Sequence, residues 1–557
     1  MKILGFSVGH DKGAVIIEDG EVKVGITQER LSRIKHDGGY SEGAIPFDSI
    51  DYCLSTLNIG YRDIDHWIYS TTELVDETKN LLTSRFTDLS HDKVTFIPHH
   101  LAHAFSSFYS SGFEEGCVVV ADASGSIITY KNQTHEWYPT YTEELDKNLD
   151  WAEAITIVNF TKDGFEEVYK KWIEYPVNHI DGKSVSMGSM YSEGCLQLIF
   201  DPKSSTWFAG KLMGMASYAD KEIVDEAPYF IEEKENDIFI PGTRIYPKVT
   251  WKSDFHSKAC VAGIYQREQE RGSLILAKIA KNLTNSKNLC TAGGSFLNCN
   301  SNELIQKSGL FENYFFIPPA DDSGIPLGCA WYGVKMFGEI KDKKILNPYF
   351  GKTYETKDII EVLNANPELY FEEIKDFDEL IEKVSYWLTQ NRVIGWFQGG
   401  SEIGPRALGN RSIIASPIKS WMSGHLNSDI KGREWYRPFA PAVLFEHQSE
   451  IFESGEYSPH MLVTTKVKEE WRSKIPAVVH VDGTARHQSV TSENNPKFYE
   501  LIKKFYEKTN VPVLLNTSFN GPGEPIVESP MDAVNTFVTR NLDLLVINNF
   551  LISQNPL

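Results

Sequence analysis

No Cys-x-x-Cys pair occurs in the chain, and its seven cysteines are scattered. That argues against a zinc ribbon and for a reducing, cytoplasmic setting. No run of 18 apolar residues is present, so no membrane span is expected. The opening Met1-Lys2-Ile3-Leu4-Gly5 reads as a strand entering a turn and not as a signal peptide. Positive charge is scarce: 55 Lys and Arg against 76 Asp and Glu leave a formal net charge of −21. An average surface of that sign repels DNA or tRNA, so no nucleic-acid partner is expected, and any locally basic cluster becomes informative. The rest is ordinary globular composition, 41% hydrophobic and 12% aromatic over 557 residues. That length allows about two to four domain-sized units.

Along the chain, residues 2–27 read as paired hairpins, Ile3–Val8, Ala14–Glu18 and Glu21–Thr27, with Asp19-Gly20 as a tight turn. The first turn carries His10 and Asp11. Gln28–Lys35 reads as a short charged helix, explicable as a solvated face. His99 and His103 are four apart, so a helix over Leu101–Ser111 puts both imidazoles on one face. Asp122 ends the apolar run Val118–Ala121. Two imidazoles and a carboxylate suit a transition metal, although an i,i+4 histidine pair alone fits a core or surface coincidence equally well. Asp322, following the strand Phe315–Pro319, supplies a second carboxylate, the natural fourth ligand, at a second strand end.

Ser124-Gly125-Ser126 opens a second strand-turn pattern about 110 residues after the first, which fits an internal duplication. Residues 131–190, rich in Trp, Tyr and acids without clean periodicity, read as a partly strand-like insertion that shapes an acceptor pocket. Gly210-Lys211-Leu212-Met213-Gly214 reads as a glycine-punctuated turn near a phosphate. A long amphipathic helix over 261–289 leads to a strand and then Gly293-Gly294, where backbone N–H groups can approach a nucleotide.

A boundary falls at about 351–370, after which helical spacing (Phe377, Leu380, Ile381, Val384, Leu388) starts a new unit. That unit holds the glycine-rich basic loop Gln398–Arg411. From Glu402 to Arg437 there are six Lys/Arg and three Asp/Glu, against the acidic background. Arginine beside glycine-rich backbone suits phosphate, since the planar guanidinium takes two oxygens at once. Structural Arg–carboxylate pairing is the alternative. The strand Val511–Leu515 ends in Asn516-Thr517-Ser518, where α/β sheets place ligands.

Taken together, these motifs resemble the O-carbamoyltransferase family of the NodU, tobramycin carbamoyltransferase and cephamycin carbamoyltransferase type, over nearly the whole chain. The carriers are Gly9-His10-Asp11, Glu29-Arg30 with Lys35-His36, His99-His100-Leu101-Ala102-His103-Ala104, and Gly210-Lys211-Leu212-Met213-Gly214. To these are added Ala292-Gly293-Gly294, Gly404-Pro405-Arg406-Ala407-Leu408-Gly409, Arg433-Glu434-Trp435-Tyr436-Arg437-Pro438-Phe439-Ala440-Pro441, and Asn516–Asn520 with Gly523-Glu524-Pro525.

The resemblance implies an α/β protein. Residues 1–350 form an ASKHA domain (actin/hexokinase-like, duplicated ribonuclease-H-like), and 371–557 form a YrdC-like domain. It implies that the second domain makes carbamoyl-adenylate from carbamoyl phosphate and ATP, with Mg. The first then moves the carbamoyl group to a hydroxyl of a small molecule such as an antibiotic, a toxin or a nodulation-type glycan. Arg406, Lys431, Arg437 and Arg486 match the family's anion cradle, with Asn516 and Ser518 as neutral partners. Gly210, Lys211, Gly293 and Gly294 fall at nucleotide contacts. His99, His103, Asp122 and Asp322 match ligands of iron(II) or another divalent transition metal. His10 is the expected base and Lys35 a phosphate neutraliser. Homodimerisation is left open.

Rival readings are a threonylcarbamoyl-type tRNA-modification protein, disfavoured by the charge, and a hydrogenase-maturation carbamoyltransferase, disfavoured by the missing Cys-x-x-Cys. A non-catalytic ASKHA ATP-binding regulator has no use for the basic second unit, and a sugar kinase needs no paired histidines.

Overall fold

The computed structural model describes every residue except 39–44, 73–74, 129–144, 147, 177–182, 200–207, 243–253, 340–343 and 557. The chain forms two compact units, one of Met1–Gln28 with Gly38–Leu346 and one of Glu29–Asp37 with Asn347–Leu557. No helix among the described residues is long and apolar enough to cross a membrane.

The first unit holds two sheets built on one plan. In the first, β1 (Lys2–Ser7), β2 (Gly13–Glu18), β3 (Glu21–Thr27), β4 (His66–Ser70) and β5 (Val94–Phe96) lie in the order β3-β2-β1-β4-β5. The first three are antiparallel neighbours, and β1, β4 and β5 run parallel. Asp19 and Gly20 both adopt positive φ (50° and 81°), the two-residue hairpin turn whose twist matches the strands. The second sheet contains β6 (Gly116–Ala121), β7 (Ile127–Ile128), β8 (Asp150–Phe160) and β9 (Phe165–Tyr175). After a small hairpin, β10 (Glu232–Lys234) with β11 (Asp237–Phe239), it adds β12 (Asn288–Ala292) and β13 (Asn313–Phe316). Its order β9-β8-β6-β12-β13 repeats that of the first sheet, with β6–β8 and β8–β9 antiparallel and β6, β12 and β13 parallel. This is the duplicated ribonuclease-H-like plan of the ASKHA folds, and the expected duplication is present.

Each half ends in a helix after its last strand, His99–Ser110 and Ile325–Phe337, and the two pack on each other. Gly328 sets how closely: a Cβ there would lie 1.8 Å from the Ala102 carbonyl oxygen. A Cβ on Gly5 would lie 2.2 Å from the Pro326 carbonyl oxygen, so the same helix also presses on β1. Neither gap can absorb a methyl without moving backbone. Gly328→Ala is therefore expected to destabilise the chain by about 1–3 kcal/mol through overpacking. Gly164, whose Cβ would meet nothing within 4 Å, is the control: Gly164→Ala is expected to leave the urea midpoint unchanged.

Two sequence expectations differ from the structure here. Residues 150–160 and 165–175 do not belong to an insertion; they are the second and third strands of the repeated plan, while 131–144, 147 and 177–182 lie outside the described residues. The pattern misleads because Glu153 and Lys170 pair with each other in full burial where alternation calls for apolar side chains. Gly210-Lys211-Leu212-Met213-Gly214 is not a turn but part of the helix Ala209–Ala216, whose Leu212 and Met215 are buried.

The second unit is built on an eight-stranded sheet. Its strands are β14 (Tyr370–Glu373), β15 (Ile394–Phe397), β16 (Arg411–Ala415), β17 (Ala440–Leu444), β20 (Gln488–Val490), β21 (Val513–Ser518), β22 (Leu544–Ile547) and β23 (Phe550–Ser553). They lie in the order β14-β23-β22-β15-β16-β21-β17-β20, and β18 (Thr465–Lys466) with β19 (Thr484–Ala485) forms a separate ribbon. The expected linker at 351–370 is folded: Thr356–Asn364 is a helix, and its Ile359 and Leu363, four apart, are buried in this unit's core.

Residues 29–37 are a built-in part of this unit and not a solvated face. Arg30 is buried and donates to the Gly404 carbonyl at 3.0 Å. Arg33 donates to the carbonyls of Ile526 and Pro525 at 2.8 and 3.0 Å and stands 3.5 Å from Asp532.

His487 is buried against Phe452, ring centroids 4.8 Å apart, and burial pushes its pKa down to about 4. The folded value lies below the unfolded one, so the imidazole's contribution is whole above pH 6.5 and is lost as pH falls toward 4. Unfolding of the second unit at pH 5 is expected to be about 2 kcal/mol easier than at pH 8 from this group alone. Urea titrations at both pH values check it, with His487→Phe expected to flatten the difference.

Candidate functional site

His99 and His103 lie on the helix that follows β5. Asp122 follows β6, and Asp322 opens a short 3-10 turn after β13. The duplication thus delivers two histidines from one half and two carboxylates from strand ends of the other. His99 Nε2 lies 3.6 Å from Asp122 Oδ2 and 3.3 Å from Asp322 Oδ1; for His103 Nε2 the corresponding distances are 3.4 and 3.5 Å. One ligand atom from each of the four falls within 4.8 Å of every other. Both histidines are buried, and among the described residues neither Nε2 meets a partner in hydrogen-bond geometry.

Buried ring nitrogens and carboxylates facing each other at these distances are costly unless a proton or a cation joins them. The electrostatics agree. Burial opposes charge on His99 and His103, but Asp322 and Asp122 overcome it and raise both pKa values, that of His99 to about 10. The two carboxylates are held below their usual range by the imidazoles despite burial and their mutual repulsion. The box therefore balances its negative charge with protons, and a divalent cation supplies the same balance. Two nitrogens and two carboxylate oxygens suit a borderline transition metal.

His10 adjoins the box. Its Nε2 lies 3.3 Å from Asp322 Oδ2 and its Nδ1 3.1 Å from Asp11 Oδ2. Burial opposes its charge, but Asp322 and Asp11 raise its pKa to about 10. Against the expectation of a base titrating near neutrality, the surrounding carboxylates favour the protonated imidazole. Gly293 takes φ 93°, and Gly294 lies beside Asp122, its Cβ position 3.2 Å from Asp122 Oδ1, so this glycine pair borders the box. Gly210 and Lys211 sit on the helix Ala209–Ala216, where the Lys211 ammonium lies 4.4 Å over the Phe208 ring.

The other expected site residues gather in the second unit. Lys431 Nζ is buried and donates to Ser518 O (2.8 Å), Ser518 Oγ (3.2 Å), Asn520 O (2.9 Å) and Asn520 Oδ1. Burial pushes its pKa well down, and Arg433, Lys35 and Arg437 push the same way. Lys35 therefore belongs with these cations. Burial, Arg437 and Arg486 lower Arg433 to about 9, and burial also lowers Arg437. Arg486 Nε is buried with no hydrogen-bond partner among the described residues. Glu434 lies 3.8 Å from Arg437, and Glu524 partly offsets the depression of Lys431. Asn516 donates to the Ala407 carbonyl (3.3 Å) and to Gln488 Oε1 (2.9 Å), tying the loop of Arg406 to β20 and β21.

Sequence reasoning gave no site role to Arg433, Asn427 or Asn520, although Arg433 and Asn520 lie inside quoted motifs. Asn427 accepts from Arg433 Nε (2.7 Å) and donates to the Trp435 and Arg437 carbonyls (3.2 and 2.9 Å), so it shapes the cationic loop. A buried asparagine shortly before a basic segment carries no pattern, whereas Arg433 lay inside a motif already noted. Cations held this close, each depressing the next, are favourable only with an anion among them.

Comparison with known proteins follows this geometry. The model described as carbamoyltransferase N-terminus matches residues 2–87 and 78–331, and that described as carbamoyltransferase C-terminus matches 385–554. Nodulation protein NolNO of Sinorhizobium fredii is 32% identical over 589 residues, covering 98% of this chain and 79% of the relative. Nodulation protein NolO of Bradyrhizobium diazoefficiens is 32% identical over 477 residues, covering 82% of this chain and 79% of the relative. Among solved structures, full-length HypF in its phosphate- and nucleotide-bound form shares 14% identity at a TM-score of 0.38, over 61% of this chain and 56% of that one. A likeness of that size supports no inference about this chain.

Proposed function

We propose, because this chain belongs to the carbamoyltransferase family, that it is an ATP-dependent O-carbamoyltransferase working in two steps. The second unit, YrdC-like in this reading, uses water to release phosphate from carbamoyl phosphate, and the carbamate so formed displaces pyrophosphate from ATP, with Mg, to give carbamoyl-adenylate. The first unit passes the carbamoyl group to a hydroxyl of a small molecule, such as an antibiotic, a toxin or a nodulation-type glycan, and releases AMP.

The observation that carries the reading is that one chain holds two sites of opposite electrical character, a carboxylate-histidine box and a buried cluster of cations. Step one brings together two polyanions whose repulsion keeps them apart in water. Lys431, Arg437, Arg486 and Arg406 offset that repulsion and stabilise the charge that develops on transfer. Asn516 and Ser518 fix orientation by neutral hydrogen bonds, and Lys35 adds a further cation. In step two His99, His103, Asp122 and Asp322 would hold a divalent transition metal, with iron(II) the family expectation. When bound, that ion supplies Lewis acidity and a fixed template. His10, oriented by Asp11, handles the proton of the attacking hydroxyl, and Gly293 and Gly294 let backbone approach the nucleotide.

The test needs no acceptor. With ATP, carbamoyl phosphate and Mg, the protein is expected to exchange labelled pyrophosphate into ATP, and the exchange is expected to vanish when carbamoyl phosphate is left out. Absence of exchange under both conditions would sink the adenylate route.

A further inference from the structure

We propose that Glu153, acting with Ser126, is a positioning residue for the two-histidine, two-aspartate box, locking the start of the histidine helix to the loop that carries Asp122. The inference rests on the metal reading of that box.

His99 is the first residue of its helix, where backbone N–H groups have no partner within the helix and the end frays most readily. Pro98 precedes it and offers no capping side chain. The acceptors come from elsewhere in the unit. The His99 N–H donates to Ser126 Oγ at 2.9 Å, and the His100 N–H to Glu153 Oε2 at 3.2 Å. The same carboxylate oxygen accepts the Ser126 N–H at 2.9 Å, and the Gly125 N–H donates to the Glu153 carbonyl at 2.8 Å. The His100 ring is held by Thr156, further along β8, through Nδ1 and Oγ1 at 2.9 Å. One side chain thus grips both the helix start bearing His99 and the loop running on from Asp122. A carboxylate is also the right charge at a helix N-terminus.

The packing leaves little slack. A Cβ on Gly125 would lie 2.6 Å from His100 Cδ2 and 2.7 Å from Glu153 Oε2, so the loop is pressed against the pair. The β8–β9 register shifts between Glu153 and Ile155, an irregularity of the kind that re-aims a strand side chain. On its far side Glu153 Oε1 takes Lys170 Nζ at 2.7 Å, both side chains fully buried. Such an ion pair is commonly no more stabilising than apolar residues of the same size, so stability alone does not account for it. Holding the charge that caps the helix does.

The test is Co(II) titration of the full-length, metal-stripped protein, read by visible absorption, which reports ligand geometry as well as affinity. Glu153→Ala is expected to bind Co(II) about 10–100-fold more weakly with altered band intensities. Glu153→Gln, which keeps an acceptor oxygen, is expected to fall between it and the unchanged chain. The double variant Glu153→Gln with Lys170→Met, which removes both fully buried charges and leaves the partly exposed Glu167 carboxylate without its lysine, is expected to regain most of the affinity and the original spectrum. Pyrophosphate exchange should be untouched throughout. Wild-type affinity and spectrum in folded Glu153→Ala and Ser126→Ala would overturn the proposal. If Glu153→Ala does not fold, Ser126→Ala and Glu153→Gln decide it in the same way. Failure of the unchanged protein to take up Co(II) would instead overturn the metal reading, and this inference with it.

Discussion

Lys431→Met is expected to slow pyrophosphate exchange by roughly 10²–10³-fold, the loss typical when one preorganised donor to a developing anion is removed. The reason lies in how the ammonium is held. Nζ is buried, fixed by oxygens of Ser518 and Asn520, and crowded by Arg433, Lys35 and Arg437. Its charge is disfavoured until an anion arrives, so it gains more from the reacting phosphates than a solvated lysine would. Methionine keeps the packing of the stem and removes the charge. The carbonyls of Ser518 and Asn520 then lose their donor, so a thermal melt should accompany the assay. Exchange at the wild-type rate in a folded Lys431→Met protein would remove this residue from the chemistry.

His99→Ala is expected to do the reverse. Exchange should continue, while AMP release in the presence of a panel of acceptor alcohols falls by roughly 10³-fold, several kcal/mol of lost stabilisation. Metal bound after purification, counted by elemental analysis, should fall with it. His99 and His103 Nε2 face both carboxylates at 3.3–3.6 Å, so dropping one ring leaves two aspartates and one imidazole. Simultaneous loss of exchange and transfer in this variant would break the proposed division of labour between the two units.

Much of the box was readable because helix and strand periods are short-range facts. His99 and His103 share a face through spacing alone, and an apolar run ending in Asp122 is the mark of a buried strand. The first hairpin was readable, since Asp19-Gly20 favours a tight turn, whereas the plan of the first unit came from the family resemblance. The second and third strands of the repeat were not, because their inward positions carry Glu153 and Lys170, which satisfy each other and erase the alternation. The helix Ala209–Ala216 was missed because its glycines read as punctuation, while the burial of Leu212 and Met215 is a tertiary fact. Arg30 and Arg33 read as surface charge because their partners, Gly404, Pro525 and Ile526, are hundreds of residues away.

That last separation bears on the order in which the molecule is made. Arg33 leaves the ribosome 493 residues before the carbonyl of Ile526 that receives it. At ~5–20 residues per second, this segment waits roughly 25–100 s for its place in the sheet-bearing unit it belongs to. The second unit therefore finishes folding only after its last strands are synthesised. A gene cut between residues 346 and 347 gives a downstream piece that never contains Arg30 or Arg33. Supplying residues 28–38 as a peptide, or splicing them ahead of Asn347, is the natural way to obtain that unit by itself.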